Sequence, residues 1–342
     1  MLTAVSPVSR KIDRAERIEN TLYLYSKHGI MRIEPKSDSI VRITYTVSDS
    51  FSEEKKPGVI ADEIFGDWTL ENGSDRLIEM KLPKLTLSIG KNDGAVTYYG
   101  NSGKKLFAEC DGNPREFEEF EMLHLADAPQ KTRIIDTADG KKEVIEEALK
   151  STSGKSYHIR YRFNLGDEAL YGLGQQEKGF ASLRGKRLYV HQGNRKIAAS
   201  FLVSTAGYGI LTDCYSPMIF NDNENGTYIY TESSPESDMY FIAGSMNEVV
   251  QGYRFLTGKA SMLPKWAFGY VQSKERYENE EQILEAVKKS RELGIGIQLW
   301  CSLPMRSIHL HRYHHLLRLR ESLWLSLMMK VLRLQARCRI RP

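Results

Sequence analysis

Alternation with a period of two is the feature that most restricts this chain. Tyr157, Ile159, Tyr161, Phe163 and Leu165 interleave with His158, Arg160, Arg162 and Asn164. That spacing puts the apolar side chains on one face of a strand and the polar ones on the other. The pattern recurs over 39–47, where Val41, Ile43, Tyr45 and Val47 oppose Arg42, Thr44 and Thr46. Leu85, Leu87 and Ile89 alternate with Thr86 and Ser88, and Asn92-Asp93-Gly94 then offers a turn before another strand over 95–99. Further short strands are expected over 188–191, 198–204, 209–212, 227–231 and 239–243, with Gly, Asn and Asp clusters between them. Repeated short strands with one wet face predict an antiparallel β-sandwich. The stretch 141–150 fits a helix or a strand equally well.

Near Asn247 the period lengthens. Asn247 can cap a short helix carrying Val249, Val250 and Tyr253, with Gly258 near its end. Pro264 and Trp266 introduce a short strand over 267–272 that reads as buried on both sides. A second helix is expected over 279–293: Asn279 caps it, acids fill its first turn, Ile283, Leu284, Ala286 and Val287 make the inner stripe, and Gly294 stops it. A strand followed at once by an amphipathic helix opens an α/β barrel or a parallel sheet.

Charge is distributed unevenly. From Cys301 onward there are nine Lys and Arg against one acid, Glu321, leaving 39 bases against 43 acids in residues 1–300. The main body therefore does not read as a nucleic-acid binder, and the surplus positive charge sits at one end. Cys110, Cys214, Cys301 and Cys338 have spacings that suggest neither a disulfide framework nor a zinc site. The first twenty residues lack an apolar core of signal-peptide length, and no apolar run is long enough to span a bilayer. A cytoplasmic protein with no membrane partner is the expectation.

In order and spacing, several segments carry a family likeness: Tyr171-Gly172-Leu173-Gly174, Gly207-Tyr208-Gly209-Ile210-Leu211, Tyr240-Phe241 with Gly244, and Tyr253-Arg254-Phe255-Leu256-Thr257-Gly258. The run Leu263-Pro264-Lys265-Trp266-Ala267-Phe268-Gly269-Tyr270 and Gln272-Ser273-Lys274-Glu275-Arg276-Tyr277 completes it. Over residues 31–295 the chain resembles glycoside hydrolase family 31, the α-glucosidases and α-xylosidases, with a bacterial α-xylosidase flavour. The resemblance implies a mainly β fold: a galactose-mutarotase-like antiparallel sandwich (1–258), then the first strand and helix of an incomplete (β/α)8 barrel (259–295). It also implies hydrolysis of terminal α-linked glucose or xylose by a retaining mechanism, with no cofactor or metal and an α-linked oligosaccharide or glycoside as partner. In the family a sandwich loop helps to line the sugar pocket. Gln192 and Asn194 fall where that loop would lie, and Tyr277 follows the first barrel strand on the active face; these three are the expected substrate-binding residues. An ordinary turn for the first two and a packing role for Tyr277 are the competing readings.

The catalytic residues of the family have no counterpart here. Retention needs two carboxyls about 5–5.5 Å apart, and the family's Asp nucleophile sits in a Trp-x-Asp-Met-Asn-Glu-like motif that this sequence lacks. Residues 296–342 contain no Asp and only Glu321. A whole barrel takes roughly 250 residues, and 76 run from Ala267 to Pro342. The stretch 296–342, rich in Leu and Arg, has the composition of out-of-frame translation. A poorly ordered tail on a truncated, inactive family member is the expectation. Asp222-Asn223-Glu224 echoes the motif without its Trp and Met, and lies in the sandwich. His309, His311, His314 and His315 include an i, i+4 pair but no carboxylate to complete a metal shell. Gly172 and Gly174 would need a third glycine where Glu177 stands to form a dinucleotide loop. Glu278, Glu280, Glu281 and Glu285 read as a solvated helix start. The alternative function is a non-catalytic carbohydrate-binding or interaction sandwich; a basic tail binding an anionic surface is a third reading.

Overall fold

The computed structural model describes residues 10–302, apart from 54, 55, 57, 72, 127, 138, 139, 149, 177, 178, 180, 194, 195, 275–278 and 296. Strands dominate. In chain order they are β1 (Ile12–Ile18), β2 (Thr21–Ser26), β3 (Gly29–Pro35), β4 (Ile40–Thr46), β5 (Thr69–Glu71), β6 (Leu77–Lys81), β7 (Leu85–Gly90) and β8 (Val96–Gly100). Next come β9 (Lys105–Glu109), β10 (Arg115–Leu125), β11 (Lys131–Thr137), β12 (Gly140–Glu147), β13 (Lys150–Asn164), β14 (Leu170–Gln175) and β15 (Arg187–Val190). The sandwich ends with β16 (Ile197–Ser204), β17 (Tyr208–Thr212), β18 (Met218–Asn223), β19 (Gly226–Ser234) and β20 (Ser237–Ala243). Helix α1 (Met246–Thr257), strand β21 (Tyr270–Lys274), helix α2 (Glu280–Glu292) and strand β22 (Ile297–Ser302) follow.

Two sheets make the sandwich. One runs β1-β2-β3-β4-β20-β17-β16-β14, the other β15-β18-β19-β13-β9-β8-β7-β6-β5, with β10 also paired to β13. Their inner faces supply the core, in which Leu22, Ile33, Leu87, Tyr98, Phe163, Tyr208 and Phe241 are all buried. Aromatic rings knit the two sheets together: Tyr98 stacks on Phe241 with centroids 4.0 Å apart, and Phe107 lies 5.2 Å from both Phe163 and Tyr208. The alternation seen in β13 behaves as written, with Ile159, Tyr161 and Phe163 buried and their polar neighbours outward. The ambiguous stretch 141–150 contains a strand, β12, paired with β11.

The Gly-Leu-Gly of β14 is a strand device. A Cβ on Gly172 would stand 2.3 Å from the Phe201 carbonyl oxygen, and one on Gly174 would stand 1.9 Å from that of Ile197. Both glycines hold positive φ where β14 shifts register against β16. Side chains there would push the two strands apart.

Helix α1 starts two residues earlier than the sequence suggested. Ser245, not Asn247, is the cap: its Oγ accepts from the Glu248 N–H, and the Glu248 carboxylate accepts from the Ser245 N–H at 2.8 Å. This reciprocal box satisfies two otherwise orphaned donors. Asn247 has Val250 three residues on and could not complete such a box. Val249 and Leu256 then bury against Ile40, Val203, Leu211 and Ile242 of the first sheet.

The described residues divide into two compact units between Lys259 and Ala260. In the second, a 3-10 turn over Lys265–Phe268 occupies the start of the expected strand, and β21 begins only at Tyr270. The expected two-sided burial fails there, because Phe268 is 76% and Tyr270 51% exposed. Helix α2 matches its sequence reading. Asn279 accepts from the Gln282 N–H at 3.0 Å, Glu280 and Glu281 face the positive end of the helix dipole, and Ile283 and Val287 are buried. Strand β22 then pairs with β21 in parallel. It lies inside the stretch assigned from sequence to the tail, and the remaining residues, 303–342 with the His cluster, lie outside the described residues. Among the described residues this strand–helix–strand unit is the start of an α/β barrel and no closed barrel is present. None of the described helices is long and apolar enough to cross a membrane.

Ser245→Ala is expected to cost about 1 kcal/mol in urea denaturation, whereas Asn247→Ala leaves stability nearly unchanged. The reverse ranking would return the cap to Asn247.

Candidate functional site

The loop between β15 and β16 is the part of the sandwich singled out for sugar contact. Here Gln192 works on its own loop. Its Nε2 donates to the Lys196 carbonyl at 3.0 Å, and its Oε1 accepts from the Ala198 N–H at 3.2 Å. The backbone closes the same turn, with the Lys196 N–H donating to the Gly193 carbonyl at 3.2 Å. Asn194 and Tyr277 lie outside the described residues, so the three expected residues are represented by Gln192 alone. Beside it stands an aromatic pair that the sequence reading passed over: the Tyr189 ring lies 4.5 Å from the His191 ring and is 46% exposed. Its signal was present in the alternation Leu188-Tyr189-Val190, where the middle residue points outward between two buried ones.

Asp222-Asn223-Glu224 ends β18 as a structural turn. Burial alone would raise the Asp222 carboxyl, but hydrogen bonds from the Gly185 N–H (2.6 Å), Thr227 Oγ1 (2.8 Å) and Arg184 Nε (3.0 Å) hold it below the usual range. Asn223 Oδ1 accepts from Asn221 Nδ2 at 2.7 Å and from the Asn225 N–H at 2.9 Å. A carboxylate so fully donated to has little basicity left for proton transfer.

Three carboxyls do gather inside the first sheet. Asp238 on β20 receives Arg42 Nε at 2.9 Å, Arg42 Nη2 at 2.7 Å and Lys56 Nζ at 2.7 Å. Burial pushes Asp238 up, and those cations more than reverse it. Asp213 and Glu236 lie close by and are both raised, chiefly by burial, with the Asp238 charge adding to the shift. The hollow lined by Glu236 and Asp238 holds about 20 Å³, room for a single water and far from room for a sugar ring. This is a charge-neutralising network.

Two wider grooves exist on the sandwich. One, of about 530 Å³, runs between Lys84, Asn101, Lys104 and the α1 residues Glu248, Gln251 and Phe255. Its one carboxyl, Glu248, is occupied in the helix cap. The other, of about 490 Å³, is lined by Tyr25, Asp49, Phe117, Glu119 and Tyr157. Glu119 is held by Lys155 at 2.6 Å, and both acids are open to solvent. A glycosidic acid needs shielded surroundings that lift its pKa, and a partner carboxylate opposite. Neither groove provides that pair. No group of His, Cys, Asp and Glu able to hold a metal occurs among the described residues.

The fold defines a class: a mutarotase-like antiparallel sandwich leading into the opening unit of an α/β barrel. Curated relatives place that class more narrowly. The chain is 38% identical over 155 residues to an α-xylosidase of Saccharolobus solfataricus, a match covering 42% of this chain and 21% of that protein. It is 28% identical over 294 residues to an uncharacterized family 31 glucosidase of Pseudescherichia vulneris, covering 82% of this chain and 50% of the other. It thus spans half or less of these relatives' lengths. Among solved structures, a family 31 α-xylosidase from Xanthomonas citri superposes with a TM-score of 0.61 at 16% identity, over 82% of this chain and 44% of that one. A family 31 α-xylosidase from a soil metagenome, solved with xylose, gives 0.61 at 18% identity, over 82% and 40%. No family model matches the chain. Most of the chain is a glycoside hydrolase family 31-like domain.

The raised carboxyls make a pH-dependent prediction. A carboxyl with a raised folded pKa stabilises the fold below its unfolded pKa and loses that contribution as pH rises through the folded value. Asp213→Asn is therefore expected to stabilise the protein at pH 7, with the gain vanishing below about pH 4, the ordinary Asp range. Urea titrations at the two pH values would measure it, and destabilisation at pH 7 would contradict the assignment.

Proposed function

We propose that this chain is the sandwich and opening barrel segment of a retaining α-glycosidase acting on terminal α-linked glucose or xylose, and that the 342-residue polypeptide does not hydrolyse such bonds. The observation that carries the reading is the succession of a mutarotase-like sandwich by a parallel β21–α2–β22 unit, in a chain with family 31 relatives. The absence of hydrolysis rests on chemistry. Two carboxyls must face one sugar-sized space, one to attack the anomeric carbon and one to protonate the leaving oxygen. Among the described residues the gathered carboxyls Glu236 and Asp238 share a hollow with room for a single water, and Asp222 is held by Arg184.

In this reading Gln192, Asn194 and Tyr277 remain the residues proposed to contact the sugar. Gln192 acts there by holding the turn, since its amide closes the loop between Lys196 and Ala198. The exposed Tyr189 ring offers an apolar face of the kind on which pyranose C–H groups stack.

Purified polypeptide incubated with aryl α-xylosides and α-glucosides is expected to release no phenol above the uncatalysed rate. Turnover in the ordinary enzymatic range, about 1 per second or faster, would overturn the proposal. A non-catalytic sugar-binding role would appear instead as saturable xylose or glucose binding without cleavage.

A further inference from the structure

Helix α1 leaves a groove of about 530 Å³ between itself and the turn that joins β8 to β9. Ile40 of β4, Ile242 of β20 and Gly252 of α1 give it an apolar floor. A Cβ on Gly252 would stand 2.7 Å from Ile242 Cγ2 and 3.1 Å from Ile40 Cδ1, so the missing side chain lets the helix lie this close to the sheet. Gln251 and Phe255 line the groove from α1, four residues apart and so on one face of the helix. Asn101 and Lys104 line it from the turn. The Phe255 ring is 48% exposed. Asn101, Lys104 and Gln251 have no side-chain partner among the described residues.

The charges in this groove cancel. Its charged lining residues are Lys84, Lys104 and Glu248, and Asp38 holds the Lys84 Nζ at 2.8 Å. Two bases against two acids leave no net charge for an ionic ligand to neutralise. Glu248 is further committed to the Ser245 cap. What the groove does offer is an aromatic ring, two amides able both to donate and to accept, and one ammonium donor.

We propose that this groove is a non-catalytic binding site for a short uncharged oligosaccharide. Pyranose C–H groups carry a slight positive charge and stack on the negative face of a phenyl ring, here Phe255. The sugar hydroxyls then bond to Gln251 on one side and to Asn101 and Lys104 on the other. The volume falls within the roughly 300–1,000 Å³ of small-molecule sites, which likewise combine an apolar surface with a few orienting polar groups. No carboxyl in the groove is free to attack or protonate a glycosidic bond, so the site holds sugar without cleaving it. The uncharged, hydroxyl-rich class follows from the groove itself, and the choice of an α-linked glucan within it rests on the glycosidase reading.

Titration of the full chain with isomaltotriose and maltotriose, followed by calorimetry and ligand-observed NMR, tests the site. Saturable binding with a dissociation constant of about 1 mM is expected for at least one of them, unchanged by raising the salt concentration. Phe255→Ala should weaken it at least about tenfold, and Gln251→Ala with Asn101→Ala should do so independently. Far-UV circular dichroism should stay unchanged, because all three side chains are exposed. Tyr189→Ala, beside the β15–β16 loop, should leave the affinity as it is. Failure of both trisaccharides to bind overturns the inference, as does binding that survives both sets of substitutions. Binding lost in Tyr189→Ala but kept in Phe255→Ala would also overturn it, by moving the sugar to the loop, and would leave the glycosidase reading standing. Phenol release from aryl α-glycosides is the separate result that would overturn that reading.

Discussion

Everything in the sandwich is arranged around one carboxylate placed where no water can reach it. Glu109, at the end of β9, is fully buried, and burial pushes its carboxyl up. Three neighbours answer that cost. Arg115 of β10 forms an ion pair with it, Tyr161 Oη of β13 donates at 2.9 Å, the Val96 N–H of β8 donates at 3.1 Å, and Arg115 Nη1 turns to the Gly94 carbonyl at 3.3 Å. A buried pair of this kind adds little net stability, because desolvation offsets the attraction, but losing one partner would cost about 3–5 kcal/mol. Its effect is to fix which strands meet. β8, β9, β10 and β13 must converge on one point, at the start of the β10–β13 pairing.

Once that point is fixed, the rest follows from covering apolar faces. The inner faces of the two sheets cover each other through the stack of Tyr98, Phe107, Tyr208 and Phe241. The outer face of the first sheet is covered locally by α1, whose Val249 and Leu256 fill the gap between Ile40, Leu211 and Ile242. The second unit differs in kind. Parallel strands are ordinarily buried on both faces, yet Phe268 and Tyr270 stand exposed beside β21. In the second unit the buried apolar side chains among the described residues are Ile283 and Val287 of α2.

Elements governed by local chemistry were legible in the sequence. The alternation of β4, β7 and β13 gave strands where they are found, and the Asn279 cap with its acidic first turn gave α2. Elements settled by competition or by distant partners were not. Asn247 and Ser245 both qualify as caps, and only the Glu248 side chain decides between them. The Lys141–Lys150 stretch has no preference of its own and becomes a strand because β11 lies opposite. β10 was missed because its Phe117 and Phe120 are three residues apart, which breaks the period-two pattern, while Arg115 faces the core as an ion-pair partner. At the candidate site, Gln192 was named from the family resemblance, and its partners Lys196 and Ala198 are set by the turn, which residue type alone does not reveal. The buried roles of Asp213, Glu236 and Asp238 depend on Arg42 and Lys56, which are far away in sequence.

The central proposal is that this polypeptide is a glycosidase-like scaffold, with no carboxylate among the described residues poised to attack a sugar. Retaining chemistry passes through a glycosyl ester on the attacking carboxylate, so the most direct measurement is the intact mass after incubation with activated fluoroglycosides of xylose and glucose that accumulate that ester. The account predicts an unmodified chain. A stoichiometric glycosyl adduct on any Asp or Glu would contradict it.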